Sequence, residues 1–218
     1  MSSENPKRTL FARFAETAKA LGHGRRLEIL ELLAQGERSV EALAERVGLS
    51  IANASQHLRL MHRTGLLASR RDGKRILYRL NDPSVLELTA ALHRVAERNV
   101  AEVREVIRGY FHERDALEPV SRKELSQRLR DGLVTVLDVR PEDEYAAGHV
   151  PKAINIPLRE LTRRLRQIPK NREVVAYCRG PYCVLAFEAV AILRGRGFKV
   201  RRLEDGYPEW KAAGLPTD

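Results

Sequence analysis

Apolar residues in the first half of the chain recur every three to four positions, the spacing of helices that bury one face. The residues that define four such helices are Phe11, Phe14, Ala18 and Leu21; Leu27, Leu30 and Ala34; Val40, Leu43, Ala44 and Val47; and Ala54, Leu58 and Met61. Ser39 and Ser50 stand where a side-chain oxygen caps the start of the third and fourth helices. Only Gly48 and Leu49 separate those two helices, a turn short enough for a helix-turn-helix.

A strand pattern follows, in which apolar and polar residues alternate through Ile76, Tyr78 and Leu80. Asp72-Gly73, ahead of it, is a strong signal for the turn of a β-hairpin. Four cations flank this turn: Arg70, Arg71, Lys74 and Arg75. A protruding basic hairpin, or wing, fits the phosphate backbone or minor groove of DNA, although a basic turn is also common as a merely solvated feature.

A long helix is predicted from Asp82-Pro83, which supply a cap and a first-turn proline. The apolar positions of this helix are Val85, Leu88, Leu92, Val95, Val103 and Val106. One face is therefore more apolar than a small monomer needs. We expect this face, together with the first helix, to form the seam of a homodimer.

The pattern changes near residue 118, where short apolar strands begin to alternate with helices. We therefore predict two domains, residues 1–118 and residues 119–218. In the second domain the predicted strands span residues 133–139, 153–156, 173–177 and 199–203, and the predicted helices span residues 121–130, 141–147, 158–167 and 184–194. This alternation is typical of a mostly parallel sheet, so the predicted fold is a mainly α winged helix followed by an α/β domain.

Composition narrows the class of protein. Of 218 residues, 43% are hydrophobic and 31% are charged, which is typical of a folded globular protein. The net charge of +10 is shared by both halves of the chain, so the total does not locate a nucleic-acid surface. No apolar run reaches the roughly 20 residues of a membrane span, and the N-terminus lacks the pattern of a secretory signal. We expect a cytoplasmic protein.

The two cysteines, Cys178 and Cys183, are the ends of one short loop. Cys178 follows an apolar strand that ends at Tyr177 and precedes a helix that begins near Val184. At such a bend, backbone N–H groups, the positive end of the helix and the neighbouring Arg179 favour the thiolate. This arrangement predicts a nucleophile that accepts a sulfur atom as a persulfide. The alternative is an inert buried thiol.

The first half of the chain resembles the winged-helix regulators of the ArsR type. The stretch from Ser50 to Leu58 is similar to the recognition helix of that family, and the stretch from Arg71 to Tyr78 is similar to its wing. The resemblance implies a homodimer that binds a palindromic double-stranded DNA operator, with its recognition helices about 34 Å apart. The residues expected to bind DNA are Ser50, Ile51, Asn53, Ser55, Gln56, His57, Arg59, Arg70, Arg71, Lys74 and Arg75.

Many regulators of the ArsR type sense metals, but the sequence does not offer the ligands for this. The third helix contains no cysteine, and the spacing of His93, His112 and Glu113 does not reproduce the other metal site of the family. Two cysteines cannot supply the four ligands of a structural zinc site without a partner chain. We therefore predict no metal site and no cofactor. Binding of arsenic or another thiophilic ion by Cys178 and Cys183 stays open as an alternative.

The second half resembles the rhodanese (sulfurtransferase) domain. The motifs that carry this resemblance, in order, are Leu137 to Arg140, Glu144 to Pro157 and Gly206 to Pro216. The resemblance implies that Cys178 is the sulfur-accepting, catalytic residue. The rest of its loop is Arg179, Gly180, Pro181, Tyr182 and Cys183. Four further residues are interpreted as scaffold around the loop rather than as catalysts: Asp138, Arg140, Glu144 and His149.

The loop departs from the rhodanese pattern at two places. Rhodanese loops usually place glycine three residues after the cysteine, whereas here Gly180 comes one residue earlier and Pro181, which lacks an N–H, takes that position. Fast turnover of thiosulfate is therefore in question. The related phosphatase and arsenate reductase loops end in arginine at the position of Val184, so oxyanion hydrolysis is not expected. Cys183, the second departure, either attacks a persulfide on Cys178 or is a small buried residue at the helix start.

From these observations we expect a transcriptional regulator, acting as a repressor, whose rhodanese cysteine responds to reactive sulfur or to thiol redox state. Its expected partners are a DNA operator, a second copy of the chain, and a sulfur donor or thiol-reactive small molecule, with no membrane. Two rival hypotheses stay open. One is a thiosulfate or persulfide sulfurtransferase enzyme with an attached DNA-binding domain. The other is a catalytically idle second domain that binds a partner or a redox metabolite.

Overall fold

The computed structural model describes residues 5–112 and 118–218, except for the side chains at positions 111 and 112. It divides into two compact units, one ending at His93 and the other beginning at Arg94. The boundary expected between residues 118 and 119 stays a prediction.

The first unit contains the predicted series of helices and the predicted hairpin. Its elements are α1 (Pro6–Leu21), α2 (Gly24–Ala34), β1 (Arg38–Ser39), α3 (Val40–Arg46), α4 (Ile51–Arg63), β2 (Leu67–Asp72), β3 (Arg75–Leu80) and the start of α5 (Ser84–Asn99). The Ser39 hydroxyl accepts a hydrogen bond from the Ala42 N–H at 3.3 Å, and the Ser50 hydroxyl accepts one from the Asn53 N–H at 3.2 Å. Both predicted helix caps are therefore confirmed.

The core of the first unit lies where α2, α3 and α4 meet the hairpin. Ala54, Leu58 and Met61, the inward face predicted for the fourth helix, have no exposed surface. Ile29 and Leu43 are equally inaccessible. Burying these side chains fixes which face of α4 remains outside, because residues three and four apart share one face of a helix.

The strands of the first unit form an antiparallel sheet in the order β1-β3-β2. Strand β1 was not predicted, because two residues carry no detectable alternation. The hairpin turn lies one residue later than Asp72-Gly73 predicts: Asp72 pairs with Arg75, so the turn residues are Gly73 and Lys74. Gly73 has a φ of 59°, a left-handed conformation that glycine adopts without steric cost.

The predicted long helix is interrupted at Val100, which was not expected. Helix α5 ends at Asn99, and Val100 is extended, with φ −107° and ψ 116°, before α6 (Ala101–Val106) begins. A π-helical turn, Ile107–His112, follows. The interruption is stabilised by a side chain, because the Arg104 guanidinium donates to the carbonyl of Arg98 at 2.7 Å.

The second unit has a four-stranded sheet in the order β5-β4-β6-β7 with all strands parallel, as predicted. Its strands are β4 (Val134–Asp138), β5 (Ile154–Asn155), β6 (Glu173–Tyr177) and β7 (Val200–Arg202). Its helices after residue 118 are α7 (Arg122–Arg130), α8 (Glu142–Ala146), α9 (Leu158–Arg164), α10 (Val184–Arg194) and α11 (Tyr207–Ala212), with a 3₁₀ turn at Leu165–Gln167. Helix α11 was not predicted.

Alternate side chains of the central strands enter two different cores. In β6, Val174 and Ala176 belong to the core on one face, whereas Val175 and Tyr177 belong to the core on the other. This is the two-residue period of a sheet that is covered on both faces. The end of β6 therefore emerges between two packed layers, which is where Cys178 lies.

Within the described part of the chain, every helix falls short of the length and apolarity needed to span a bilayer.

Candidate functional site

The loop from Cys178 to Cys183 joins β6 to α10 and is held at both ends by backbone hydrogen bonds. The N–H of Tyr207 donates to the carbonyl of Cys178 at 3.1 Å, and the N–H of Cys183 donates to the carbonyl of Gly180 at 3.1 Å. Cys183 is the residue that precedes the first turn of α10. The structure thus brings the two cysteines to opposite ends of one tightly closed loop, as the sequence predicts.

Gly206 packs directly against this loop, and sequence reasoning missed its role. A β-carbon at position 206 would lie 2.3 Å from both the carbonyl carbon of Arg179 and the nitrogen of Gly180. Only glycine allows this approach, because any side chain would collide with the loop backbone. The position of Gly206 inside the third rhodanese-like motif was the only signal in the sequence.

The Cys178 thiol is buried, with 1% of the residue exposed, and its Sγ donates a hydrogen bond to the carbonyl of Cys183 at 3.4 Å. Burial raises the pKa of this thiol well above its ordinary value, and the neighbouring Cys183 side chain raises it further. Backbone N–H groups of Gly180 and Ala186 act in the opposite direction and lower the pKa. The prediction that the loop favours the thiolate is therefore wrong for this conformation, because desolvation outweighs the N–H groups.

Arg179, the cation predicted beside Cys178, is paired with a carboxylate. Its Nε lies 3.0 and 3.1 Å from the two carboxylate oxygens of Glu144, and its Nη2 lies 2.7 Å from one of them. The Glu144 side chain is entirely buried. The guanidinium therefore balances a buried carboxylate and holds the start of the loop.

A second buried ion pair supports the strand that neighbours the loop. The Arg140 guanidinium donates to the Asp138 carboxylate at 2.6 Å and to the carbonyl of Gly148 at 2.8 Å, and both charged side chains are completely buried. The Tyr177 hydroxyl donates to the same carboxylate at 2.5 Å. Asp138 and Arg140 thus have the scaffold geometry that the sequence analysis expected. Tyr177 was missed, and its signal was a hydroxyl at the end of an apolar strand.

His149 lies apart from this network. Its ring stacks on Tyr145 with centroids 3.6 Å apart, and its Nδ1 is 3.0 Å from the Tyr145 carbonyl. Its backbone exchanges hydrogen bonds of 3.0 Å with Asp218. These hydrogen bonds therefore connect His149 to Tyr145 and Asp218 rather than to the cysteine loop.

The side chain of Tyr182 leaves the loop in the direction of Glu97, near the end of α5, and its hydroxyl donates to that carboxylate. Both residues belong to the second unit. Burial raises the pKa of Tyr182, and the Glu97 carboxylate adds to this effect. The loop therefore contacts the part of α5 that belongs to the second unit.

The outward face of α4 carries five of the eleven predicted DNA-binding residues. Ile51, Asn53, Gln56 and Arg59 are exposed, and Ser55 is partly exposed. Ile51 is 57% exposed, which leaves an apolar side chain available for a thymine methyl group. These side chains combine amide donors and acceptors with a cation and an apolar group, as expected of a base-reading surface.

His57 differs from the other predicted DNA-binding residues. Its ring lies 4.7 Å from the ring of His23, which caps α2 by accepting the Arg25 N–H at 3.2 Å. Partial burial lowers the pKa of His57, and the nearby His23 and Arg26 lower it further. The side chain thus packs against the start of α2 instead of sharing the exposed face of α4.

The four cations of the wing differ in the contacts they make. Arg70 forms a bidentate ion pair with Glu37, with Nε 2.9 and 3.1 Å from the two oxygens. Arg71 donates from Nε to the carbonyl of Gly73 at 3.0 Å, which directs it along the turn. Arg71, Lys74 and Arg75 are exposed. Three of the four predicted cations are therefore placed for phosphate, while Arg70 already has a carboxylate partner.

Two family models match the chain: bacterial regulatory proteins of the arsR family over residues 23–69, and the rhodanese-like domain over residues 121–213. The HTH-type transcriptional regulator Rv0324 of Mycobacterium tuberculosis is 45% identical over 212 residues, which cover 97% of this chain and 93% of that protein. The chain belongs to the ArsR family of transcriptional regulators and carries a rhodanese-like domain.

Two further similarities cover one half of this regulator each. A sulfurtransferase of Allochromatium vinosum is 36% identical over 99 residues, which cover 44% of this chain and 91% of that protein. The homodimeric winged helix-turn-helix domain of Mb0332 from Mycobacterium bovis, solved as fragment 1-100, is 39% identical and covers 47% of this chain and 94% of that fragment, with a TM-score of 0.42.

Among the described residues of this regulator, no group of three or more His, Cys, Asp and Glu side chains is arranged to hold a metal ion. Glu113, one of the three residues weighed for metal sensing, lies outside the described residues, as does the side chain of His112.

Proposed function

We propose that this regulator is a homodimeric repressor whose affinity for a DNA operator changes when reactive sulfur is transferred to Cys178. The observation that carries the proposal is the position of Cys178. It lies at the carboxyl end of a parallel strand, with the N–H groups of Gly180 and Ala186 near its sulfur, in a chain that also carries a recognition helix. Such N–H groups stabilise the negative charge of a persulfide.

The sulfur transfer begins with loss of the proton from Cys178. The thiolate attacks the outer sulfur of an inorganic polysulfide, a bond forms between the two sulfur atoms, and the donor S–S bond breaks. The electron pair of that bond leaves with the remaining polysulfide, which is shorter by one sulfur atom. The cysteine then carries a persulfide, which is larger than the thiol and is charged when deprotonated. In a closed loop, the added atom requires a change in conformation.

The DNA-binding half supports the same proposal through two surfaces that serve different purposes. The exposed face of α4 offers groups that discriminate bases, while Arg71, Lys74 and Arg75 on the wing offer charges for phosphate. Sequence readout and electrostatic affinity are thus supplied by different elements of one unit, the arrangement expected of an operator-binding protein.

Exposed apolar side chains on α1 and α5 support the homodimer. Phe11 and Phe14 are each 59% exposed, and Leu10, Leu88 and Leu92 are between 38% and 51% exposed. A soluble single copy gains nothing from exposing aromatic and aliphatic side chains on two helices. Pairing with a second copy would bury them and would set two recognition helices against a palindromic site.

The proposal is tested by measuring DNA affinity in two sulfur states. The operator is first selected from a random duplex library with the full-length regulator. Affinity for that duplex is then measured for the wild type and for Cys178→Ser, before and after treatment with sodium polysulfide or thiosulfate. We expect a 5- to 150-fold change for the wild type, a range of about 1–3 kcal/mol, and none for Cys178→Ser. Equal affinity of the treated and untreated wild type would refute the sensor.

A second candidate function is a sulfurtransferase enzyme, which the similarity to the Allochromatium vinosum sulfurtransferase favours. Two features argue against rapid turnover. Cys178 is buried and protonated, and Pro181 removes one N–H group from the loop. Steady-state formation of thiocyanate from thiosulfate and cyanide distinguishes the two candidate functions. Fast turnover that is lost in Cys178→Ala, with unchanged DNA affinity, would establish the enzyme. If neither activity depends on Cys178, the second domain is catalytically idle.

A further inference from the structure

Cys183 has no part in the acceptance of sulfur, yet the structure keeps it beside the cysteine that accepts it. Cys183 is 7% exposed and Cys178 is 1% exposed. The Cys183 carbonyl accepts the hydrogen bond of the Cys178 thiol at 3.4 Å. Within the described part of the chain, neither cysteine forms a disulfide.

We propose that Cys183 is a resolving cysteine, which converts a persulfide on Cys178 into an intramolecular disulfide and releases hydrosulfide. The inference rests on the proposed function, because it needs a persulfide to form first. It adds a second reacting residue and a different final state of the loop.

The loop geometry brings the Cys178 sulfur next to residue Cys183. The hydrogen bond from the Cys183 N–H to the Gly180 carbonyl, at 3.1 Å, folds the end of the loop back toward its start. The Sγ of Cys178 lies 3.4 Å from the carbonyl oxygen of Cys183, the residue that carries the second thiol. A thiolate that resolves a persulfide must reach the inner sulfur, and Cys183 is the thiol placed next to that atom.

The start of α10 supports a nucleophilic Cys183. Helix α10 runs for 11 residues from Val184, and Cys183 occupies the position just before its first turn. The N–H groups of the first turn and the positive end of a helix stabilise negative charge at this position. Both thiols share the same buried surroundings, but Cys183 is the one that lies at the end of the helix.

The proposed step conserves atoms and electrons. The Cys183 thiolate attacks Sγ of Cys178, a bond forms between the two Sγ atoms, and the bond between Sγ of Cys178 and the transferred sulfur breaks. Its electron pair leaves with the transferred sulfur, which takes a proton and departs as hydrosulfide. The two cysteines are oxidised to a disulfide, and the sulfur that arrived from polysulfide is reduced to sulfide. Reduction by an external dithiol returns the loop to its starting state.

The experiment follows the mass of the full-length protein after one equivalent of sodium polysulfide, together with the sulfide released. For the wild type we expect the loss of two hydrogen atoms and about one sulfide per chain. For Cys183→Ser, which is matched in size, we expect the gain of one sulfur atom and no excess sulfide. Cys178→Ser should show neither change. Cys183→Ala serves as a second variant, and fluorescence of Trp210, the single tryptophan, checks that each variant is folded.

The outcomes separate this inference from the proposed function. If the wild type and Cys183→Ser both keep the added sulfur, Cys178 accepts sulfur but Cys183 does not resolve it, and only the inference fails. If Cys183→Ser and Cys183→Ala fold normally and gain no sulfur, the proposed function itself fails. A wild-type disulfide linking Cys178 to Cys183, located by peptide mapping and reversed by a dithiol, supports both.

Discussion

The guanidinium of Arg179 is bound to the carboxylate of Glu144, so the residue that directly follows Cys178 is fixed to α8. The contacts of 2.7 to 3.1 Å are bidentate, and the carboxylate is entirely buried. A buried carboxylate is costly unless a cation balances it. The start of the loop is therefore held by an ion pair whose two halves depend on each other.

Replacing one half of this pair should cost more than replacing both. Arg179→Met leaves the buried Glu144 carboxylate without that guanidinium, and we expect the free energy of unfolding to fall by about 3–5 kcal/mol. The double variant with Glu144→Gln should recover part of this loss, because the buried charge is removed as well. Urea unfolding monitored by Trp210 reports on the second unit. Additive losses in the two single variants would contradict the coupling.

The protonated state of Cys178 predicts slow alkylation at neutral pH. Because burial raises the pKa of this thiol, its thiolate fraction stays small through the ordinary titration range of cysteine, and the rate should still increase about tenfold per pH unit there. The measurement is the rate of iodoacetamide labelling in Cys183→Ser, which leaves one cysteine. A rate that levels off near the pKa of a free cysteine, about 8.5, would show an ordinary thiol.

The sequence was sufficient where local patterning determines structure, and insufficient where tertiary contacts do. The caps at Ser39 and Ser50 and the bounds of β6 depend on neighbouring residues and were predicted. The ion pair of Arg179 with Glu144 depends on a residue far along the chain, and the protonation of Cys178 depends on burial, so neither could be predicted from local patterning. The same holds for His57, whose inward position depends on His23.

The wing predicts a specific salt dependence of DNA binding. Arg71→Ala together with Arg75→Ala should weaken operator binding and reduce the slope of log affinity against log salt by about 2, if each side chain contacts one phosphate. Arg70→Ala should change that slope less, because Arg70 is paired with Glu37. Arg159→Ala, at an exposed position in the second unit, is the control for loss of a cation. Equal slopes for the wild type and the double variant would show that the wing does not contact the DNA phosphates.

His57 predicts that the first unit loses stability as the pH falls. Its pKa is lowered in the folded state by burial and by His23 and Arg26. Its contribution is therefore fully present above its unfolded pKa of about 6.5 and is lost as the pH falls below that value. His57→Gln should flatten the pH dependence of the unfolding midpoint between pH 7 and pH 5, measured by circular dichroism. If the pH dependence of the unfolding midpoint is unchanged in His57→Gln, a group other than His57 causes the loss of stability.

The contact of Tyr182 with Glu97 predicts that a variant can take up sulfur normally and still show a smaller response at the operator. The Tyr182 hydroxyl donates to Glu97 on α5, and a persulfide in the loop requires the loop to change shape. If this contact carries the change to α5, Tyr182→Phe removes it while leaving the aromatic ring in place. We expect the variant to take up sulfur at Cys178 as the wild type does, yet to show a smaller change in operator affinity.

The measurement combines intact mass, for sulfur uptake, with operator affinity before and after polysulfide. Glu97→Leu, which has no acceptor for the Tyr182 hydroxyl, provides the variant from the other side of the contact, and it should reduce the response in the same direction. Since coupling between sites is typically about 1–3 kcal/mol, losing one hydrogen bond of about 0.5–1.5 kcal/mol is enough to remove a measurable part of it. A full response in both variants would show that the loop reaches the DNA-binding unit by another route, because the contact would then be absent and the coupling intact.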